Sequence, residues 1–372
     1  MPQIIAIIGG LDADLIMIAN RIPERGESVL ANEYLEALGG KGANSAIAAY
    51  RTCHQKPLEH ERYTADYATA TATTKKGPHA LTQLAIDDED NIQVKMIGAV
   101  GDDRYGENFI VELNKNGVDT TGIVTVPNTR SSICFVMVEN STRENRYLFT
   151  QGATATWKKE DFITPEQLGG KTPPDLVVAQ MEIDKEIVET MIETAGKAGI
   201  EFCLNAAPAT PIDKGFYQYL THLLVNESEA AIMSGRDKGE VNEETWPVIA
   251  QEFLNRGVKN VVITLGAKGA FYANATDSNH SPAFNVKVED TTGAGDTFTG
   301  AYASDYLRQK AKGAWEIESA VIRANKAAAI TSQTVGAQDG IPWADEIDNF
   351  DAPHKAPSFI HSDSTAGITS EA

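Results

Sequence analysis

Between residues 176 and 265 the chain repeats one pattern, and that pattern limits the fold more than any other feature. Apolar runs at 176–180, 201–205, 223–226 and 260–265 read as strands, and helical patterns at 184–198 and 248–255 lie between them. Strands separated by a helix that can cross back over a sheet pair in parallel. The alternation therefore predicts an α/β fold: a doubly wound, mostly parallel sheet flanked by helices. The apolar run at 4–8, ending at Gly9-Gly10, fits a further strand buried on both faces. Ligands of such sheets bind beyond the carboxyl ends of the strands, which is where Asn205, Asn226 and Thr264 fall.

The most informative short stretch is Asp290-Thr291-Thr292-Gly293-Ala294-Gly295-Asp296-Thr297-Phe298. It follows a strand-like run at 283–288 and leads into a helical pattern through Ala301 and Leu307. A small-residue turn thus opens a helix, whose unpaired N–H groups and positive dipole end suit an anion. Gly293 and Gly295 let the backbone approach a phosphate closely. A carboxylate at Asp296 would repel a resting phosphate, but as a base it could take the proton of a hydroxyl attacking a γ-phosphate. An ordinary N-capped strand–turn–helix is the plainer alternative.

Asp12 and Asp14 follow the first strand, and alternation in an extended segment points both side chains to one side. They could hydrogen-bond hydroxyls or simply cap a turn. Gly39-Gly40-Lys41-Gly42-Ala43-Asn44 then precedes an Ala-rich helix. It lacks the spacing and the Ser/Thr of a Walker A loop, yet its backbone could come close to a small polar ligand. Extended segments at about 14–38 and 123–150, the latter with a hairpin around 139–143, are expected to form a small sheet outside the main one. Residues 94–103 read as a strand with its loop, and 105–116 as a helix ended by Gly117. Residues 52–93 include an Ala/Thr-rich stretch and Asp87-Asp88-Glu89-Asp90, and are expected to be a disordered insertion. His54, His60 and His79 within it read as solvated loop residues. Residues 343–372 read as an acidic, flexible tail.

Composition narrows the partners. Lys and Arg number 32 against 52 Asp and Glu, a net charge of −20, which argues against nucleic acid or an anionic membrane. Cys53, Cys134 and Cys203 show no metal spacing and read as small apolar residues of a reducing compartment. With no basic, apolar leader and no run approaching the length of a membrane span, a cytoplasmic location is expected, with the nucleus also open.

Taken together, the 290–298 stretch, the Gly39–Asn44 stretch with Asp14 upstream, and Asn226-Glu227-Ser228-Glu229 occur in one order that resembles the ribokinase-type (PfkB) carbohydrate kinases. The likeness extends over about residues 4–342, apart from the insertion. It implies a single kinase domain over 1–342 with a β-sheet lid, transferring phosphate from ATP to the 5-hydroxyl of ribose. Asp296 would be the base, with the amides of Gly293, Ala294, Gly295 and Asp296 as an anion hole. Asp12, Ala13, Asp14, Gly40, Lys41, Gly42, Ala43, Asn44 and Glu144 would hold the sugar. Asn226 and Glu229 would serve Mg²⁺ and phosphates. Thr264, Leu265, Gly266, Ala267, Lys268, Gly269 and Gly295, with Asn325 on the adenine side, would hold ATP. Asp290, Thr292, Thr331, Thr334, Gly336 and Gly340 would bind a monovalent cation such as K⁺. The apolar lid edge suits a homodimer. Two positions depart from the family pattern: Gly340 stands where Ser is frequent, and Asp12 where Asn is common. Kinases of fructose, nucleosides or keto-deoxy sugar acids, and a non-catalytic sugar-binding protein, are the alternatives the same motifs allow.

Overall fold

The computed structural model describes residues 2–57, 92–141 and 145–355. Nine strands form the main sheet in the order β13-β12-β11-β10-β9-β8-β1-β4-β5. These are β1 (Gln3–Ile8), β4 (Ile92–Gly101), β5 (Asp119–Val126), β8 (Leu176–Gln180), β9 (Glu201–Asn205), β10 (His222–Asn226), β11 (Asn260–Thr264), β12 (Gly269–Asn274) and β13 (Ser278–Pro282). The strands from β5 to β11 in that order pair in parallel, and β12 and β13 close one edge antiparallel. A second sheet, ordered β3-β2-β6-β7, comprises β2 (Asp12–Ala19), β3 (Glu33–Gly39), β6 (Ser132–Glu139) and β7 (Asn145–Thr150). The helices are α1 (Lys41–Arg51), α2 (Arg104–Lys115), α3 (Lys185–Ala198), α4 (Glu227–Ser234), α5 (Trp246–Asn255), α6 (Ala294–Ala311), α7 (Ile317–Thr331) and α8 (Ala344–Asp348).

The setting of β1 explains why residues 4–8 are apolar throughout. Ile5 and Ile7 enter the core on one face of the sheet, Ala6 and Ile8 the core on the other. Neighbours flank it on both sides, Ile5 opposing Val94 and Leu176. Helices α1, α6 and α7 cover the first face. α1 and α6 approach so closely that a β-carbon on Gly300 would stand 2.5 Å from the Ala49 nitrogen. The Ala-rich surface of α1 and the missing side chain at 300 make that contact possible.

Several expectations are corrected. Residues 119–126 join the main sheet beside β4 rather than the small one, and β3 begins only at Glu33. Residues 283–288 form no regular strand; they are held by a single bridge, Phe284 to His354, with Asn285 N–H on Pro353 O at 2.8 Å. That contact belongs to a folded C-terminal segment, so the tail is packed from 343 to 355. Trp343 and Ile347 are buried, Phe350 meets Phe284 edge-on, and Asp348 pairs with Arg323. The spacing 343, 347, 350 is helical and gives one apolar side to this segment. At the insertion, Thr52 and Cys53 end α1 buried, and Ile92 and Gln93 belong to β4. Residues 58–91 and 356–372 lie outside the described residues, as do His60 and His79, whereas His54 stacks on Tyr50. None of the three cysteines forms a disulfide. Among the described residues no helix is long and apolar enough to cross a membrane.

The α1–α6 contact gives a direct test. Gly300→Val should wedge the helices apart and cost about 2–3 kcal/mol, lowering the urea midpoint. An unchanged midpoint would mean that the helices do not pack at this point.

Candidate active site

The carboxyl ends of β1, β8, β9, β10 and β11 line one edge of the main sheet, and the chemically active side chains gather along it. β1 ends at Gly9-Gly10, from which the chain turns into β2 and the small sheet. The N-terminus of α1 comes down on that turn. A β-carbon on Gly42 would lie 2.6 Å from the Gly9 carbonyl carbon, and one on Gly40, whose φ is +87°, would lie 2.6 Å from the Asp12 nitrogen. These glycines are therefore required by the chain's own backbone.

This docking places Asn44 against the first turn of α6. Asn44 Nδ2 donates to Asp296 Oδ2 at 2.9 Å, across 252 residues of sequence. Both side chains are buried. Burial raises the Asp296 carboxyl above its ordinary value, against the pull of Lys41 and the Asn44 hydrogen bond. Gly293 caps α6 in the left-handed region, φ +75°, with Ala337 O so near that a β-carbon would come within 2.3 Å of it. Above Gly295, by contrast, no atom beyond its own stretch of helix lies within 4 Å of where a β-carbon would stand. Ala294 N–H is taken by Thr291 O and Thr297 N–H by Gly293 O; the amides of Gly295 and Asp296 have no acceptor among the described residues. An open, donor-lined helix N-terminus thus sits beside a buried carboxyl.

Beneath it lies a group of acids. β2 lies between β3 and β6 and pairs in parallel with β6, Asp12 facing Ser132 and Asp14 facing Cys134. Ser132 Oγ donates to Asp12 Oδ1. Burial raises Asp12; burial, then the nearby Asp12 charge, push Asp14 up to about 7. The remaining member went unnoticed in the sequence. Glu182, two residues past β8, accepts Lys41 N–H at 3.0 Å, the first amide of α1. Burial and the Asp12 charge push it up to about 8. Gly10 is sandwiched between two of these acids: its β-carbon would meet Glu182 Oε2 at 2.7 Å and Asp12 Oδ2 at 3.1 Å. Lys41 is the counter-charge. Burial disfavours its ammonium, but Asp296, Glu182, Glu229 and Asp12 together keep its pKa above the usual lysine value.

Other sequence candidates fall as follows. Ala13, Ala43 and Leu265 have buried side chains that belong to the core clusters. Glu144 lies outside the described residues. Asn226 and Glu229 form a reciprocal cap on α4, each side chain accepting the other's N–H at 2.8 Å. Asn226 is the register neighbour of Thr264, so the cap and the 264–269 turn adjoin. In that turn Gly266 has open space above it, whereas Gly269 is pressed onto Ser281 O; Lys268 pairs with Glu227 and lies over the Trp246 ring. Asn325 donates to Ser281 Oγ at 3.1 Å, behind the same turn. At the segments 290–292 and 331–340, Asp290 Oδ1 accepts from Thr292 N–H and Oγ1, and Asp290 Oδ2 from Gly336 N–H at 3.0 Å. Thr331 Oγ1 donates to Thr297 Oγ1, and Gly340 packs on the Thr331 carbonyl, while Thr334 is exposed. Glu182 could have been found by the strand-end logic that picked Asn205 and Asn226. Ser132 could not, because its place depends on the β2–β6 register.

Raised carboxyls link the site to stability. Below about pH 4 these acids are protonated in both states. As pH rises from about 4 to 8 the unfolded chain ionises Asp14 and Glu182 while the folded chain resists, so stability falls. Glu182→Gln, which keeps the acceptor for Lys41 N–H, should flatten the fall in melting temperature between pH 5 and 8. A parental slope in that variant would show that Glu182 is ionised throughout.

Residues 79–344 match the pfkB family carbohydrate kinase. The chain is 31% identical to a ribokinase of Schizosaccharomyces pombe, over 92% of this chain and 96% of that one. It is 29% identical to a deoxyribokinase of Salmonella typhi, over 93% and 98%. Its fold superposes on the crystal structure of ribokinase from Thermotoga maritima with a TM-score of 0.71 and 29% identity, covering 94% of this chain and 98% of that one.

Proposed function

Because the chain belongs to the pfkB family of carbohydrate kinases, we propose that it transfers the γ-phosphate of ATP to the 5-hydroxyl of D-ribose, giving D-ribose 5-phosphate. The observation that carries this reading is the buried Asp296 carboxyl, held by Asn44 beside the open turn at Gly295.

Asp12, Asp14 and Glu182 supply acceptor oxygens for sugar hydroxyls, which always have a proton to donate. A sugar on this bed would bring one hydroxyl to Asp296. Burial makes that carboxylate a stronger base than an exposed aspartate, while Lys41 and the Asn44 hydrogen bond favour its ionised form. The hydroxyl oxygen forms the bond to the γ-phosphorus as the bond to the β-phosphate oxygen breaks, and the hydroxyl proton ends on Asp296. The amides of Gly295 and Asp296 stabilise negative charge on the transferred group.

Thr264, Gly266, Ala267, Lys268, Gly269 and Asn325 would receive the nucleotide. The oxygens of Asn226 and Glu229 suit the waters of Mg²⁺, which neutralises phosphate charge when bound. The oxygen-only loop of Asp290, Thr292, Thr331, Thr334, Gly336 and Gly340 suits K⁺, and Asp290 already ties its two segments together. Exposed Tyr34 and Leu35 on β3, and Tyr147, Leu148 and Phe149 on β7, give the small sheet an apolar surface on which a second copy would pair.

A second reading is phosphorylation of 2-deoxyribose. It is favoured by the deoxyribokinase relative, matched almost as well as the ribokinase, and by Asp12, one of whose oxygens is occupied by Ser132. ATP turnover should be measured against ribose, 2-deoxyribose, fructose and adenosine, with and without K⁺. Ribose should be turned over fastest, and Asp296→Asn should lower kcat about 10³-fold with little change in KM. Faster turnover of 2-deoxyribose would select the second reading, and parental activity in the variant would remove Asp296 as the base.

A further inference from the structure

α1 grips the segment after α7 at two points on one helical face. Near its start is Asn44. Seven residues later Arg51, two turns along the same face, donates through Nη1 to Gln338 O at 3.1 Å and Ile341 O at 2.9 Å. Its Nε donates to Asn116 Oδ1 at 2.8 Å, so the guanidinium is itself held. With its backbone fixed in this way, Gln338 reaches back along the helix. Its Nε2 donates to Asn44 Oδ1 at 2.9 Å, and Asn44 Nδ2 donates to Asp296 Oδ2 at 2.9 Å.

The direction of this chain is dictated by its last member. An ionised carboxylate only accepts, so Asn44 must present its NH₂ to Asp296. Its carbonyl oxygen then faces Gln338, which must donate. We infer that Gln338 is a positioning residue for the base: its amide fixes Asn44 in the one orientation that donates to Asp296. The surrounding loop reinforces the effect. Gly336 N–H holds Asp290 Oδ2, and Ala337 O lies against Gly293, so residues 336–338 touch the base-bearing turn, its flanking aspartate and the orienting asparagine.

This inference rests on Asp296 serving as the base. Without a donor at 338, the Asn44 amide is free to turn over and place its oxygen against the carboxylate. That arrangement repels the ionised form of Asp296 and favours the protonated one. The charged groups facing Asp296 are Lys41 on α1, Asp12 and Asp14 on β2, Glu182 beyond β8 and Glu229 on α4, and none of them is altered by a change at 338. A purely structural role would be filled by any side chain of the same length. The relay requires a donor.

The test measures kcat and KM for sugar and ATP across pH 5–9 in the parent, Gln338→Met, Gln338→Glu and Asp296→Asn proteins. For Gln338→Met, kcat at pH 7 should fall about tenfold, the size of one hydrogen bond to a charged group. Both KM values should stay within about twofold, and the acidic limb of kcat should move up by about one pH unit, the same tenfold in protonation. Gln338→Glu, whose carboxylate draws the Asn44 NH₂ away from Asp296, should lose at least as much; if the Met protein does not fold, this nearly isosteric variant decides alone. Parental kcat and pH limb in the Gln338 variants, with Asp296→Asn inactive, would overturn the relay and leave the base in place. A rise in sugar KM at unchanged kcat would also overturn it, assigning Gln338 to sugar binding through Asn44. An active Asp296→Asn protein would remove the base, and the relay with it.

Discussion

Everything at the active edge depends on how closely the N-termini of α1 and α6 meet over the end of β1. Two helix starts bring two positive dipole ends to one place, and such a meeting is tolerable when negative groups lie between them. Here the Glu182 carboxyl takes the first amide of α1, and Asp296 lies in the first turn of α6. The approach is permitted by absent side chains: Gly42 on Gly9, Gly300 on Ala49, Gly293 on Ala337. The Asn44–Asp296 hydrogen bond follows from that packing, and with it the Asp296 carboxyl is held among buried side chains.

The same packing makes the cleft electrostatically uncomfortable. Asp12, Asp14, Glu182 and Asp296 surround Lys41, and burial raises all four carboxyls. Buried polar groups are costly when water is removed and nothing replaces it. A ligand rich in hydroxyl donors would offset that cost at the carboxyl oxygens that Ser132, Asn44 and the Lys41 N–H do not already serve. Clusters of raised carboxyls in a cleft are a mark of function for this reason. The helix-capping pair Asn226–Glu229 stands at the carboxyl end of β10, on the same edge of the sheet.

Legibility varied with the range of the interactions involved. The alternation of strand and helix across 176–265 is a local signal, and the parallel sheet it implies was found as expected. The 290–298 turn was equally plain, because only small residues can open a helix that closely against Ala337. Residues 343–355 misled, since acidic composition outweighed the helical spacing of Trp343, Ile347 and Phe350. Residues 119–126 misled because a β-rich segment does not announce which of two sheets will accept it. Glu182 escaped notice as one acidic residue among many, although it follows a buried strand directly.

The sequence by itself determined the alternation of strand and helix across 176–265, the parallel pairing it implies and the small-residue turn at 290–298, since these rest on periodicity, glycine placement and short-range capping. Tertiary structure alone decided which side chains share the cleft. The β2–β6 register set Ser132 on Asp12, the descent of α1 onto Gly9-Gly10 brought Asn44 to Asp296, and the Arg51 grip turned Gln338 back to Asn44. Those contacts join residues more than a hundred positions apart. No local pattern encodes them, because they arise only when separate elements pack against one another.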